Sequence, residues 1–220
     1  MAELERRREV NTAFLIAPGV NNWGSIFGDS RDWPVQLAIW INTKTPFKAQ
    51  AQFYFTTPLT VDLNQKRRSK SFGEIVRAYS NADFRVNLVG HSNGTRVILD
   101  GLRSAGWPTV ANIHLLMAAC DADFNRNGLN WALRENKVER VISYIADNDM
   151  AMRCEDTLIG LRLFGLPWKD KPLGLVGPVN VDPSIPESRR PEEHLAGYGH
   201  STCWDAGHLQ NTIQMVLGQS

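Results

Sequence analysis

One serine lies in a sequence context that would make its hydroxyl group a nucleophile. Residues 90–94 read Gly-His-Ser-Asn-Gly and fit the pattern G-x-S-x-G, with Ser92 at the centre. A serine in this pattern occupies the tip of a sharp turn between a strand and a helix, where its hydroxyl meets substrate. Gly90 and Gly94 provide the space that such a turn needs. The N–H of Asn93 is then placed to stabilise an oxyanion during acyl transfer.

The residues around the motif predict the strand and the helix that this turn requires. An apolar run, residues 86–89, precedes the motif, and Val97, Ile98 and Leu102 follow it at the spacing of one buried helical face. Short G-x-S-x-G matches also arise by chance, and a cluster of glycine and serine commonly marks an ordinary turn. The strand before the motif and the helix after it favour the nucleophile interpretation.

A serine nucleophile needs a base, and the base needs an acid that orients it. In hydrolases with this turn, the order along the chain is serine, acid, histidine. The acids at predicted strand ends after the serine are Asp121, Asp123, Asp147 and Asp149, and the histidines after them are His194, His200 and His208. His200 lies in a glycine-containing loop before the last predicted helix, whereas His208 falls inside that helix and His194 in a charged loop. His200 is therefore the predicted base, and spacing alone leaves both Asp147 and Asp149 open as the acid.

The other two histidines precede these acids in the chain. His91 and His114 are therefore poor candidates for the base. His114 lies within a near-continuous apolar run and is predicted to be a core or edge residue rather than a ligand.

The loop after the first predicted strand is the expected source of a second oxyanion donor. It reads Pro18-Gly19-Val20-Asn21. In hydrolases with the G-x-S-x-G turn, a backbone N–H of this loop completes the oxyanion hole, which predicts Val20 or Asn21 for that role. An ordinary strand-to-helix loop has the same composition and remains the alternative.

Apolar runs alternate with helical patterns along the chain. Strands are predicted near residues 12–17, 50–56, 84–90, 113–119, 138–146 and 175–181, and helices near residues 32–41, 72–81, 129–136, 150–164 and 203–217. After a charged lead-in at residues 1–11, this alternation predicts one α/β domain over residues 12–220, with about six mostly parallel strands and helices on both faces. The basic segment 57–71 and the segment 183–198 are predicted to be surface loops.

Composition and charge argue against several other classes of protein. The 220 residues are 43% hydrophobic and 21% charged, as in a globular domain, and the net charge of +1 gives no field that would attract nucleic acid. The three cysteines lack C-x-x-C spacing, which favours a reducing, cytoplasmic location over a disulfide framework or a zinc site. No apolar segment is long enough for a membrane span or a signal peptide.

Four stretches carry a resemblance to a known family. They are residues 89–94, residues 118–124 (similar to A-x-D-x-D-x-F), residues 144–152 (similar to Y-x-S-x-x-D-x-A-L) and His200-Ser201. In these stretches the chain resembles the α/β-hydrolase fold and, within it, a bacterial group of hydrolases, the DUF900 type. Ala146 and Met152 depart from the pattern of that group. The resemblance implies that Asp149 is the acid.

These observations predict a serine hydrolase that cleaves carboxylic esters through an acyl-enzyme. Ser92 attacks, His200 takes and returns the proton, and Asp149 holds the imidazole. A small-molecule ester or acyl compound is the predicted substrate, with neither a metal nor a cofactor. A thioesterase or acyltransferase with the same residues, and a binding protein on the same fold, remain alternatives. The short chain leaves little room for a lid, and the oligomeric state is not predicted.

Overall fold

Strands and helices alternate along residues 11–19, 33–52, 61–146, 148–149, 171–200, 202–205 and 207–218, the part of the chain that this computed structural model describes. The strands are β1 (Thr12–Ala17), β2 (Lys48–Ala51), β3 (Arg85–His91), β4 (Val110–Leu116), β5 (Val138–Ala146) and β6 (Glu192–Leu195). The helices are α1 (Trp33–Lys44), α2 (Val61–Asn81), α3 (Gly94–Ser104), α4 (Leu129–Arg134), α5 (Leu173–Val176) and α6 (Leu209–Gly218). Glu187–Arg189 and Thr202–Trp204 form short 3₁₀ turns.

The six strands form one sheet in the order β2-β1-β3-β4-β5-β6, and every pair is parallel. Strand β1 pairs with β2 on one side and with β3 on the other, so the direction of chain progression reverses there. In parallel α/β sheets, sites form outside the carboxyl ends of the strands at such a reversal. The carboxyl ends of β1 and β3 are therefore the place where this fold favours a site.

Side chains alternate between two hydrophobic cores, one on each face of the sheet. On β3, Leu88 packs into the core that α2, α3 and α4 cover, and Val89 packs into the core that α1 and α6 cover. On β1, Leu15 and Ile16 divide between the faces in the same way. Because both faces are covered, the central strands read as continuous apolar runs. The predicted single α/β domain with about six parallel strands and helices on both faces is confirmed.

The sixth strand differs from the one predicted near residues 175–181. Leu173–Val176 form a short helix that ends at Gly177, where φ is 73°, and Pro178 follows. Val179 makes only an isolated bridge to Asp123. The sixth strand is Glu192–Leu195, inside the segment predicted as a loop. It is an edge strand with one buried side chain, Leu195, so it lacks the apolar pattern by which strands are recognised.

The basic run Lys66-Arg67-Arg68 lies on helix α2, so its assignment to a surface loop was wrong. Gln65, Arg68 and Ser69 are buried on the same side of α2 as Phe72. Their spacing is helical, but these positions are polar, so the apolar periodicity becomes visible only from Phe72 onward. The predicted helix at residues 72–81 is the second half of α2.

Most other boundaries agree within a few residues. Strands β1 and β5 coincide with their predictions, and β4 begins three residues earlier than predicted and ends at Leu116, just before Met117 at a φ of 41°. Strand β2 overlaps its prediction at residues 50–51, and the predicted helix at 150–164 lies outside the described residues. The C-terminal helix begins at Leu209, after the 3₁₀ turn at Thr202–Trp204.

His114 is a core residue, as predicted. Its side chain is fully buried, and its Nδ1 lies 3.1 Å from the hydroxyl of Tyr144 on the neighbouring strand. Burial lowers the pKa of His114 to about 3. The residue is therefore a neutral partner within the sheet. None of the described helices combines the length and apolar character that a bilayer crossing needs.

Candidate active site

Ser92 occupies the turn between β3 and α3 in a conformation that is rare for a residue with a side chain. Its φ is +53°. Hydrogen bonds hold it in place: its N–H donates to the carbonyl of Leu116 at 3.0 Å, and its carbonyl accepts from Ala119 N–H at 3.2 Å and from Thr95. Strained residues persist only where the surroundings determine them and are concentrated at functional sites. The turn therefore has the nucleophile-elbow geometry that the motif predicts.

The glycines of the motif are required by close approach rather than by their own φ angles. A Cβ on Gly94 would collide with the carbonyl O of Ala17 at the end of β1. A Cβ on Gly90 would lie 2.7 Å from Cδ1 of Ile98, on the helix that follows the turn. Gly19, in the loop after β1, lies so close to the elbow that its Cβ would be 2.9 Å from that of Ser92. The G-x-S-x-G spacing thus allows the elbow to pack against the end of β1.

Three predicted residues from three different strand ends lie in one hydrogen-bonded row. Nδ1 of His200 is 2.8 Å from Oδ2 of Asp149, and Nε2 of His200 is 2.9 Å from Oγ of Ser92. A carboxylate oxygen only accepts, so Nδ1 carries the proton and donates to it. In the neutral imidazole Nε2 is then an acceptor, and the Ser92 hydroxyl donates to it. The row has the direction that a base needs in order to take a proton from the serine.

The three residues of this row differ in burial, and the acid is the most deeply buried of them. The side chain of His200 is 18% exposed and that of Asp149 is fully buried. Asp149 lies just after β5, and its N–H donates to the carbonyl of Ala146 at 3.3 Å. A buried carboxylate beside one ring nitrogen fixes the tautomer and the orientation of the ring. Of the three residues, His200 keeps the most exposure to solvent.

Among the described residues, the other candidate acids and histidines have different surroundings. Asp121 and Asp123 accept hydrogen bonds from backbone N–H groups of their own loop. His194 is exposed on edge strand β6, and the ring of His208 packs against that of Tyr198 with centroids 4.9 Å apart. Asp147, the alternative acid, lies outside the described residues.

Of the backbone groups predicted to stabilise the oxyanion, only that of Asn93 belongs to the described residues. Asn93 starts helix α3, and among the described residues its backbone N–H donates to no other group. Its side chain donates to Oε1 of Gln65 on α2 at 3.3 Å, which ties the start of α3 to the neighbouring helix. Val20 and Asn21, predicted as the second donor, lie outside the described residues.

Sequence reasoning set aside one residue that the structure places at this site. His91 was excluded as the base because it precedes the acids. Its Nε2 lies 2.7 Å from the backbone carbonyl of His200. Only its place beside Ser92 in the motif could have drawn attention to it.

Solved structures with this arrangement of strands and helices include several hydrolases. A Bacillus licheniformis lipase matches 94% of this chain and 92% of its own, at 14% identity and a TM-score of 0.51. A protein of the alpha/beta superfamily from Xanthomonas campestris pv. campestris matches 94% of this chain and 96% of its own, at 13% identity and a TM-score of 0.45. The RedJ thioesterase from Streptomyces coelicolor matches 96% of this chain and 86% of its own, at 10% identity and a TM-score of 0.42.

The sheet topology and the likeness to the Bacillus licheniformis lipase show the class of fold: the chain has the α/β-hydrolase fold. At such low identity the likeness shows the fold, and the activity has to be inferred from the site itself. No family model and no curated protein matches the sequence. The narrower resemblance to the DUF900-type hydrolases therefore stays a prediction.

Proposed function

We propose that this protein is a serine hydrolase that cleaves carboxylic ester bonds through an acyl-enzyme. The supporting observation is the row Asp149–His200–Ser92, with separations of 2.8 and 2.9 Å, at the carboxyl end of a parallel sheet. Each residue comes from a different strand end, and Ser92 is held at a φ of +53°. A strained serine, an oriented imidazole and a buried carboxylate are the groups that acyl transfer to a serine requires.

The proposed reaction has two halves. Oγ of Ser92 attacks the ester carbonyl carbon while its proton passes to Nε2 of His200. The tetrahedral oxyanion is met by the N–H of Asn93 and, in this proposal, by an N–H of Val20 or Asn21. The alcohol leaves with the proton from His200. Water then attacks the acyl-enzyme by the reverse of these steps, while Asp149 stabilises the imidazolium each time it forms.

Trapping the acyl group tests this proposal directly. Incubation with p-nitrophenyl acetate, followed by an acid quench and trypsin digestion, should give an acetylated peptide. The tryptic peptide of residues 86–96 contains Ser92 as its only serine, so fragmentation identifies the modified atom without ambiguity. A native chain that neither turns over short esters nor reacts with a fluorophosphonate at Ser92 would instead support the binding-protein alternative.

The arrangement of Ser92, His200 and Asp149 does not indicate which leaving group the substrate carries. An ester, a thioester or an acyl group for transfer would react with the same serine, because only the departing atom or the acceptor differs. Comparing kcat/KM for matched p-nitrophenyl esters and acyl thioesters of one chain length would rank these options. We place the ester first because it needs no recognition of a carrier group.

A cytoplasmic location is part of the same proposal. Cys120 and Cys203 are buried free thiols. Burial raises the pKa of Cys120 to about 12, so this residue stays a neutral thiol that packs as a small apolar side chain. Fractionation of native cells with an antibody to this chain would test the location.

Substituting Asp149 should show how much the orientation of His200 contributes to kcat. In Asp149→Asn the amide can donate to Nδ1, which favours the tautomer that cannot accept the serine proton. We expect kcat to fall by about 10⁴-fold, the loss typical of this substitution in serine proteases, with little change in KM. Asp147→Asn is the matched control and should remain active. If Asp147→Asn loses activity and Asp149→Asn does not, the acid has been assigned to the wrong residue.

A further inference from the structure

A second histidine lies beside the nucleophile and contacts the backbone of the proposed base. Nε2 of His91 is 2.7 Å from the carbonyl O of His200, and the two rings have centroids 5.0 Å apart. A carbonyl oxygen only accepts hydrogen bonds, so Nε2 of His91 carries a proton and donates it. Burial lowers the pKa of His91 to about 3, which keeps the ring neutral, with Nδ1 unprotonated.

Two tryptophans hold the His91 ring in this orientation. Trp33 at the start of α1 and Trp204 in the last 3₁₀ turn stack on each other, with centroids 3.6 Å apart. The His91 ring meets both at steep angles, with centroids 5.9 Å from Trp33 and 5.5 Å from Trp204. His91 is 6% exposed. A ring enclosed in this way has few other rotamers, so its donor points at a fixed place.

The segment that carries His200 needs such a fixed point. It contains Gly197, where φ is 79°, and Gly199, so its backbone has wide conformational freedom. The carbonyl of Tyr198 accepts from Asn148 N–H at 3.1 Å. The N–H of Gly199 donates to Oγ1 of Thr202 at 2.9 Å, a contact within the same loop. The hydrogen bond from His91 ties the backbone of His200 to the strand that carries the nucleophile.

We propose that His91 is a positioning residue that holds the backbone of His200 so that its Nε2 stays within reach of Ser92. Because His91 and Ser92 are adjacent, one strand end fixes both the nucleophile and the base. His200 is then held at three points: by Asp149 at Nδ1, by Ser92 at Nε2 and by His91 at the backbone carbonyl. This inference rests on the proposed role of His200 as the base.

Two substitutions of His91 separate hydrogen bonding from packing. In His91→Gln, the amide nitrogen is as many bonds from Cβ as Nε2 of histidine, so the donor is kept and the ring is lost. In His91→Phe, the ring that packs against Trp33 and Trp204 is kept and the donor is lost. We expect His91→Phe to lower kcat by about 10–100-fold with KM nearly unchanged, because small misplacements of a catalytic group cost this much. His91→Gln should keep kcat within about tenfold of the native chain and above that of His91→Phe.

The relative kcat values of His91→Gln and His91→Phe test whether His91 acts through its hydrogen bond or through packing. If His91→Phe is the more active, or if the two are equal, His91 acts through packing and the proposal is wrong. A readout that needs no variant is the nitrogen NMR spectrum of the native chain, in which His91 should show a protonated Nε2 and an unprotonated Nδ1. The opposite tautomer would overturn the proposal even if both variants failed to fold.

Failure of this inference can be told from failure of the proposed function. If the native chain does not react with a fluorophosphonate at Ser92, the proposed function fails whatever the His91 variants do. If the native chain reacts and His91→Phe retains full kcat, only the role of His91 is refuted. Thermal melting of each variant beside the native chain shows whether a lost activity comes from the site or from unfolding.

Discussion

Replacing Ser92 with alanine should abolish ester turnover and fluorophosphonate labelling while leaving the fold intact. We expect kcat to fall by about 10⁶-fold, the loss seen when the nucleophile of a serine protease triad is removed. The remaining rate would come from the oxyanion donors and from substrate binding. The measurements are p-nitrophenyl ester hydrolysis and labelling read by intact mass.

The structure indicates why this substitution should not unfold the chain. The Oγ of Ser92 bonds to Nε2 of His200, whereas the turn itself is held by backbone bonds to Leu116, Ala119 and Thr95. Alanine and serine carry the same Cβ into the left-handed region, so the strain at φ +53° changes little. The melting temperature should therefore stay close to that of the native chain.

A matched control for Ser92 lies at the other end of the same helix. Ser104 is the last residue of α3, and its hydroxyl donates to the carbonyl of Gly101 within that helix. Ser104→Ala should retain both turnover and labelling. Labelling that persists in Ser92→Ala would move the nucleophile elsewhere and would contradict the proposed mechanism.

Removing the proposed base should have an effect of similar size. In His200→Ala, Ser92 loses its proton acceptor, and we expect kcat to fall by about 10⁵–10⁶-fold. The side chain of His200 also shields the buried carboxylate of Asp149, so some loss of stability is expected as well. Circular dichroism and thermal melting measure that part separately. His200→Gln fills more of the space that the imidazole leaves, and it can replace the alanine variant if that variant does not fold.

His208 provides the control for this substitution because it follows the same loop and is also a histidine. It lies just before α6, and its ring packs against Tyr198 rather than against the elbow. His208→Ala should change kcat by less than about threefold, as for a residue that touches no reacting atom. If His208→Ala abolishes activity and His200→Ala does not, the base comes from the C-terminal region of the chain.

The local sequence was enough to predict the turn at Ser92 and the bounds of strands β1 and β5. The glycines at 90 and 94 are needed because neighbouring backbone and side chains approach within contact distance, and such a requirement leaves a fixed pattern in the chain. Strand β1 is buried along its whole length and β5 from Val141 to Ala146, so apolar runs mark these stretches without knowledge of their neighbours. The glycine pattern and these apolar runs are visible in the sequence itself, although the close approach that requires Gly94 comes from Ala17 at the end of β1.

The tertiary structure decided what depends on distant partners. The edge strand Glu192–Leu195 pairs with β5 through its backbone, so its charged side chains gave no strand signal. Spacing in the sequence could not decide whether Asp147 or Asp149 is the acid. The hydrogen bond between Asp149 and His200 joins residues 51 positions apart. His91 precedes every candidate acid, and only the return of the chain 109 residues later brings a carbonyl to its Nε2. The turn motif and the apolar runs can be recognised in the sequence, whereas these contacts exist only once the sheet has brought its strand ends together.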